Sequence, residues 1–187
     1  MASWYSTALA FSLLSLAGCN SDSGLPVLGS VPPFQLTDQN GHVFESAKTL
    51  QSTIWIADFM FTNCPGPCPR MSSQLRQAQT YLTSTGIKLL SFTVDPAHDT
   101  PQVLFEYSRH YDARPGTWYF LTGPQPVLQG LAKDAFKLGD VDNTLEHSTR
   151  FALVDRKGRI RGYYLSSDAH TVDQLVADAK ALLKERS

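Results

Sequence analysis

Cys64 and Cys68 stand four residues apart in Phe61-Thr62-Asn63-Cys64-Pro65-Gly66-Pro67-Cys68-Pro69, directly after a nearly continuous apolar run. Two thiols at that spacing meet if the chain folds back, and the three prolines restrict the shapes the segment can take. Such a pair can form a disulfide, exchange electrons, or bind a soft metal ion. A purely structural disulfide gains little here, because the entropic benefit of a crosslink grows with the loop it closes. Thiolate ligands select Cu(I), and an added imidazole makes a site that also accepts Cu(II), while zinc stays open with the same ligands plus water.

The third cysteine has a different setting. Residues 8–18 form a short apolar stretch that ends in small residues before Cys19. That is the order of a secretory signal, and the stretch falls short of the roughly 20 apolar residues of a membrane span. Leu16-Ala17-Gly18-Cys19 resembles a bacterial lipobox, with Cys19 as the lipidated first residue of the mature chain, although no Lys or Arg precedes the apolar stretch. Export would put Cys64 and Cys68 in an oxidising compartment, where a thiol pair needs a reducing partner to stay open.

The elements that position the pair follow from patterning. Residues 1–18 read as a signal peptide, 19–33 as a flexible Ser/Asp/Gly/Pro tether, and 34–187 as one domain. Phe34–Thr37 and His42–Glu45 alternate around Asp38-Gln39-Asn40-Gly41, a hairpin pattern. Ile54–Phe61 is a central strand buried on both faces, and the cysteine loop follows it directly. Met71, Leu75, Ala78 and Leu82 recur at helical spacing after the loop. Pro69 suits the first helical position, which makes Cys68 the N-cap and predicts a thiolate stabilised by the helix terminus.

Further along, strands are predicted over Ile87–Val94, Trp118–Leu121, Arg150–Val154 and Ile160–Leu165. Helices are predicted from Pro101, over about Gln125–Phe136, and over about Thr171–Lys184. The order is that of a thioredoxin-like α/β sandwich: a central mixed sheet, an N-terminal β-hairpin and flanking helices, with the loop at a strand end where open α/β sheets place their sites. Asp95 and Asp99 around Pro96 read as turn and cap residues. Asp58, inside the apolar strand, is a carboxylate that needs a partner and whose pKa burial raises.

Three blocks carry a family resemblance. The cysteine segment resembles the F-x-x-C-P-x-x-C-P signature of the Sco/SenC proteins, copper chaperones of cytochrome c oxidase assembly. Phe92-Thr93-Val94-Asp95-Pro96-Ala97-His98-Asp99-Thr100-Pro101 resembles the V-D-P-x-x-D-T-P segment, and Glu146-His147-Ser148-Thr149 the D-H-S/T segment before a strand. Gly66 stands where many members have Asp, and Glu146 where Asp is commoner. The resemblance implies a copper site of Cys64, Cys68 and His147, with Cys64 and Cys68 forming a disulfide when oxidised. Among the five histidines only His147 matches a histidine of the family's motifs; His98 is the second candidate.

The function this implies is a copper-binding protein that delivers copper to, or matures, the copper-site subunit of cytochrome c oxidase or a related cuproenzyme, served by a thiol reductant protein. The expected location is the bacterial cell envelope, lipid-anchored to the inner membrane and facing the periplasm. A thiol-disulfide reductase that keeps a target's copper-ligand cysteines reduced, or a redox or copper sensor, is the alternative. The near-neutral balance, net charge -1 with 18% charged residues, gives no nucleic-acid footprint.

Overall fold

The structure, a computed structural model, describes residues 23–138 and 149–185. Among the described residues eight strands form one mixed sheet: β1 (Gly29–Ser30), β2 (Gln35–Asp38), β3 (Val43–Glu45), β4 (Trp55–Met60), β5 (Lys88–Thr93), β6 (Trp118–Thr122), β7 (Arg150–Val154) and β8 (Arg159–Leu165). Their order across the sheet is β1-β8-β7-β4-β5-β6-β2-β3. β4, β5 and β6 are parallel neighbours, and every other pairing is antiparallel. The predicted hairpin, β2–β3, sits at one edge.

β4 is central, and its six residues are all buried. Trp55, Ala57 and Phe59 face one layer with Phe92 and Phe136. Ile56 and Met60 face the other, with Cys68, Met71 and Leu75. This double burial explains why the strand reads as a continuous apolar run. On the cysteine face lie α2 (Cys68–Tyr81), α3 (Pro101–His110) and α5 (Thr171–Lys184); on the other lie the short α1 (Ser46–Thr49) and α4 (Gln125–Gly130). Among the described residues no helix is long and apolar enough to cross a membrane.

Two expectations change. The helix predicted over Gln125–Phe136 ends at Gly130 and widens into a π-helical turn, Leu131–Ala135, closed by Phe136 N–H on the Leu131 carbonyl at 2.9 Å. The wider turn brings Leu131, Ala132, Ala135 and Phe136 together onto the sheet. The flexible tether predicted up to residue 33 is structured over its second half. β1 pairs with β8, and the N–H groups of Leu28 and Val31 donate to the carbonyls of Ile160 and Gly158, both at 2.8 Å. The guanidinium of Arg161 reaches back to the carbonyls of Leu25 and Pro26, at 2.7 and 3.1 Å. A two-residue strand is too short to show alternation, and its holder lies far along the chain.

Candidate metal and thiol centre

The cysteine loop leaves the C-terminal end of β4 and returns as α2. Cys64 donates its N–H to the Phe61 carbonyl at 3.3 Å, and the first helical bond runs from Met71 N–H to the Pro67 carbonyl at 3.0 Å. The chain therefore turns over Pro65 and Gly66, which are exposed, and tucks both cysteines underneath. Cys64 is 8% exposed and Cys68 is fully buried. The two side chains are hydrogen-bonding neighbours, and no disulfide joins them.

The helix start differs from the sequence expectation. Pro67, with φ -76 and ψ -22, is the N-cap, so Cys68 is already the first helical residue and Pro69 the second. Packing of the Cys68 side chain beside Met71 and Leu75 wins over the local bias against helical backbone before proline. The electrostatic expectation is overturned as well. Burial pushes the Cys68 thiol far above its ordinary range, and the Cys64 hydrogen bond and the negative potential of Asp58 push the same way. A helix N-terminus offers about 0.3–2 kcal/mol, whereas full desolvation shifts a group by up to about 3–5 pKa units. Desolvation wins.

Asp58 lies between Ile56 and Met60 on the same strand face as the cysteines, fully buried. Neither carboxyl oxygen has a hydrogen-bond partner among the described residues. Ser91 pairs with it across the sheet, and its hydroxyl accepts the Trp118 indole N–H at 3.0 Å while keeping its own O–H to donate. Burial, tempered by the nearby Ser91 hydroxyl and by the backbone N–H of Asp58, raises the Asp58 pKa to about 7.

Two further contacts frame the loop. Asp99, 1% exposed, accepts the hydroxyl of Thr93 at 2.5 Å and also holds Thr62, so it does more than shape a turn. The helix cap is Thr100, whose hydroxyl accepts Val103 N–H at 3.4 Å. Asp95 accepts from the exposed His98 ring at 2.8 Å. On the other side Ser166 N–H donates to the Thr149 carbonyl at 2.8 Å, while the Ser166 oxygens accept from Arg70 and Gln74 in the first turns of α2, at 3.3 and 3.0 Å. Thr149, two residues after His147, therefore lies near the α2 end that carries Cys68.

His147 and Cys19 lie outside the described residues. Among the described residues no three His, Cys, Asp or Glu side chains converge into a metal cage. The exposed His42 sits on the hairpin, beside Asp38 at 3.9 Å, away from the cysteines. Chemically, Cys64 and Cys68 give two adjacent soft donors screened from water, which suits Cu(I) and also permits a disulfide. Asp99 is the site residue that sequence reasoning placed in a structural role; its adjacency to the cysteine loop across two parallel strands was the signal.

Comparison with known proteins agrees with this architecture. The SCO1/SenC family model matches residues 28–184. The SCO1 protein homolog of Bacillus subtilis is 30% identical over 163 residues, covering 83% of this chain and 84% of the relative. The crystal structure of a SCO1/SenC family lipoprotein from Bacillus anthracis superposes with a TM-score of 0.76 at 29% identity, over 83% of this chain and 96% of that one. Yeast Sco1 with copper bound superposes with a TM-score of 0.63 at 31% identity, over 84% and 95% of the two chains.

Proposed function

This chain belongs to the SCO1/SenC family, and from that premise we propose that it binds one copper ion through Cys64, Cys68 and His147 and passes it to the copper site of a cytochrome c oxidase or a related cuproenzyme. Involvement of the family in cytochrome c oxidase assembly and the copper held by the yeast relative both support the reading. The observation that carries it is the buried sulfur pair of Cys64 and Cys68 under an exposed turn, with Thr149 close to the same helix end. Two soft donors cover Cu(I) while it is in transit, and His147 would supply the third ligand. Lipidation at Cys19 would hold the protein on the periplasmic face of the inner membrane.

The thiol-disulfide reductase reading is weaker on the same geometry. The nucleophile in exchange is the thiolate, and burial keeps Cys68 in its thiol form. Reduction by a partner thiol protein is still required before copper can enter an oxidised pair.

Titration of the reduced protein with Cu(I) and with Cu(II) tests the assignment. About one copper per chain is expected, with a thiolate-to-Cu(II) charge-transfer band that weakens or shifts in His147→Ala and vanishes in Cys64→Ser. Binding that ignores both substitutions would sink the site. Full reductase turnover with no copper binding would favour the other reading.

A further inference from the structure

The pole of the domain opposite the cysteine loop holds the first described residue. β4 enters at Trp55 and leaves from Met60 toward Cys64, and β7 runs antiparallel to it, so the β7–β8 turn at Asp155–Gly158 lies at the Trp55 end. Arg156 in that turn donates to the carbonyls of Leu182 and Glu185, at 2.8 and 3.2 Å, which brings the C-terminal end of α5 to the same pole. There Ser23 N–H donates to Glu185 Oε1 at 3.1 Å. The chain enters the domain far from its cysteines.

This pole is also basic. Among the described residues its acids are already matched: Asp112 by Arg76 at 3.2 Å, Asp155 by Arg159 at 2.7 Å, and Glu185 by Arg161 at 2.9 Å. Lys88, Arg114 and Arg156 instead bond neutral oxygens, those of Gly116, Thr83 and Leu182, and Lys157 is exposed beside them. Their charge is left to face outward although the whole chain carries a net -1.

Length decides the orientation. Cys19 precedes Ser23 by four residues, a link of at most about 14 Å when fully extended. β4 alone rises about 17 Å between its end residues before the cysteine loop is added. A lipid on so short a link cannot let the cysteine pole turn down onto the bilayer.

We infer that the basic pole rests on anionic lipid headgroups and that the cysteine pair faces away from them, which requires an acceptor whose copper site stands roughly 20 Å or more above the bilayer. The inference rests on the lipidation of Cys19 in the functional reading above. It narrows the partner to one with a domain projecting well clear of the membrane.

The test uses the full-length lipidated protein in vesicles of phosphatidylcholine and phosphatidylglycerol that carry a lipid-borne energy acceptor. A fluorophore is attached through a click-reactive residue at Thr80, exposed near the basic pole, or at Gln102, exposed near the cysteine pole. Strong quenching at position 80 and weak quenching at 102 is expected. The contrast should shrink in phosphatidylcholine alone, and with Lys88→Gln combined with Lys157→Gln. Equal quenching at both positions, in protein whose mass shows lipid on Cys19, overturns the orientation alone. An undiminished contrast without phosphatidylglycerol overturns the headgroup contact. A mass without lipid on Cys19 overturns the anchoring reading and this inference with it.

Discussion

The carboxylate of Asp99 accepts the main-chain N–H of Thr62 at 3.2 Å and the Thr62 hydroxyl at 2.5 Å, two residues before Cys64. Together with the Thr93 hydroxyl, these bonds join the end of β5 to the root of the cysteine loop. Removing the acceptor leaves buried donors unmatched, so Asp99→Ala should destabilise the fold by about 2–4 kcal/mol. Thr62→Ala should cost less, about 1 kcal/mol, and the double mutant should recover most of the smaller loss. Urea unfolding measures all three. Additive losses would mean that Asp99 does not act through Thr62.

Asp58 makes the stability depend on pH in an unusual direction for a carboxylate. Its folded pKa, about 7, lies above the ordinary 3.8, so the folded state holds the proton more tightly than the unfolded one. Its contribution therefore favours the fold at low pH and is lost as pH rises through that window. Three pKa units correspond to about 4 kcal/mol at most. Asp58→Asn should be more stable than the parent above pH 7 and nearly equal to it near pH 4. A variant less stable at both ends would contradict this account.

Much of this was legible in the residues. Continuous apolarity marked β4, and alternation marked the hairpin of β2 and β3, because each pattern reflects which faces are covered. The Cys64–Cys68 loop was visible because proline and cysteine are informative residue types. What escaped depends on distant partners. β1 has no pattern of its own and exists because β8 and Arg161 hold it. The local rules that made Cys68 a helix cap with a stabilised thiolate held no information about its depth in the core, and depth reversed the outcome.

Arg161 should be the residue on which the N-terminal segment depends. Its side chain is 4% exposed and joins Asp155, Glu185 and the carbonyls of Leu25 and Pro26. Arg161→Met leaves two carboxylates without it and should cost about 3–5 kcal/mol, with faster hydrogen exchange at Leu28 and Val31. The Arg161 hydrogen bond holds Glu185 down at about 2, from an ordinary 4.5. Burial alone would raise Asp155, but its bonds to Arg159, Lys157 N–H and Arg161 outweigh it and lower the pKa. Both contributions are complete above the unfolded values and fade as pH falls from about 4.5 toward 2. The parent should lose stability across that window, and Arg161→Met should lose much less.

Copper binding should be coupled to proton release at Cys68. Burial and the neighbouring Cys64 thiol keep Cys68 protonated at neutral pH, whereas a metal-bound cysteine is a thiolate. Each Cu(I) must therefore displace at least one proton, and apparent affinity should rise at least tenfold per pH unit between about pH 6 and 8. Competition against a Cu(I) chelator of known proton dependence reads the slope directly. Cys68→Ser should bind more weakly and with a shallower slope. A flat profile in the parent protein would mean that the thiolate is already formed before copper arrives, and that the helix terminus prevails over burial after all.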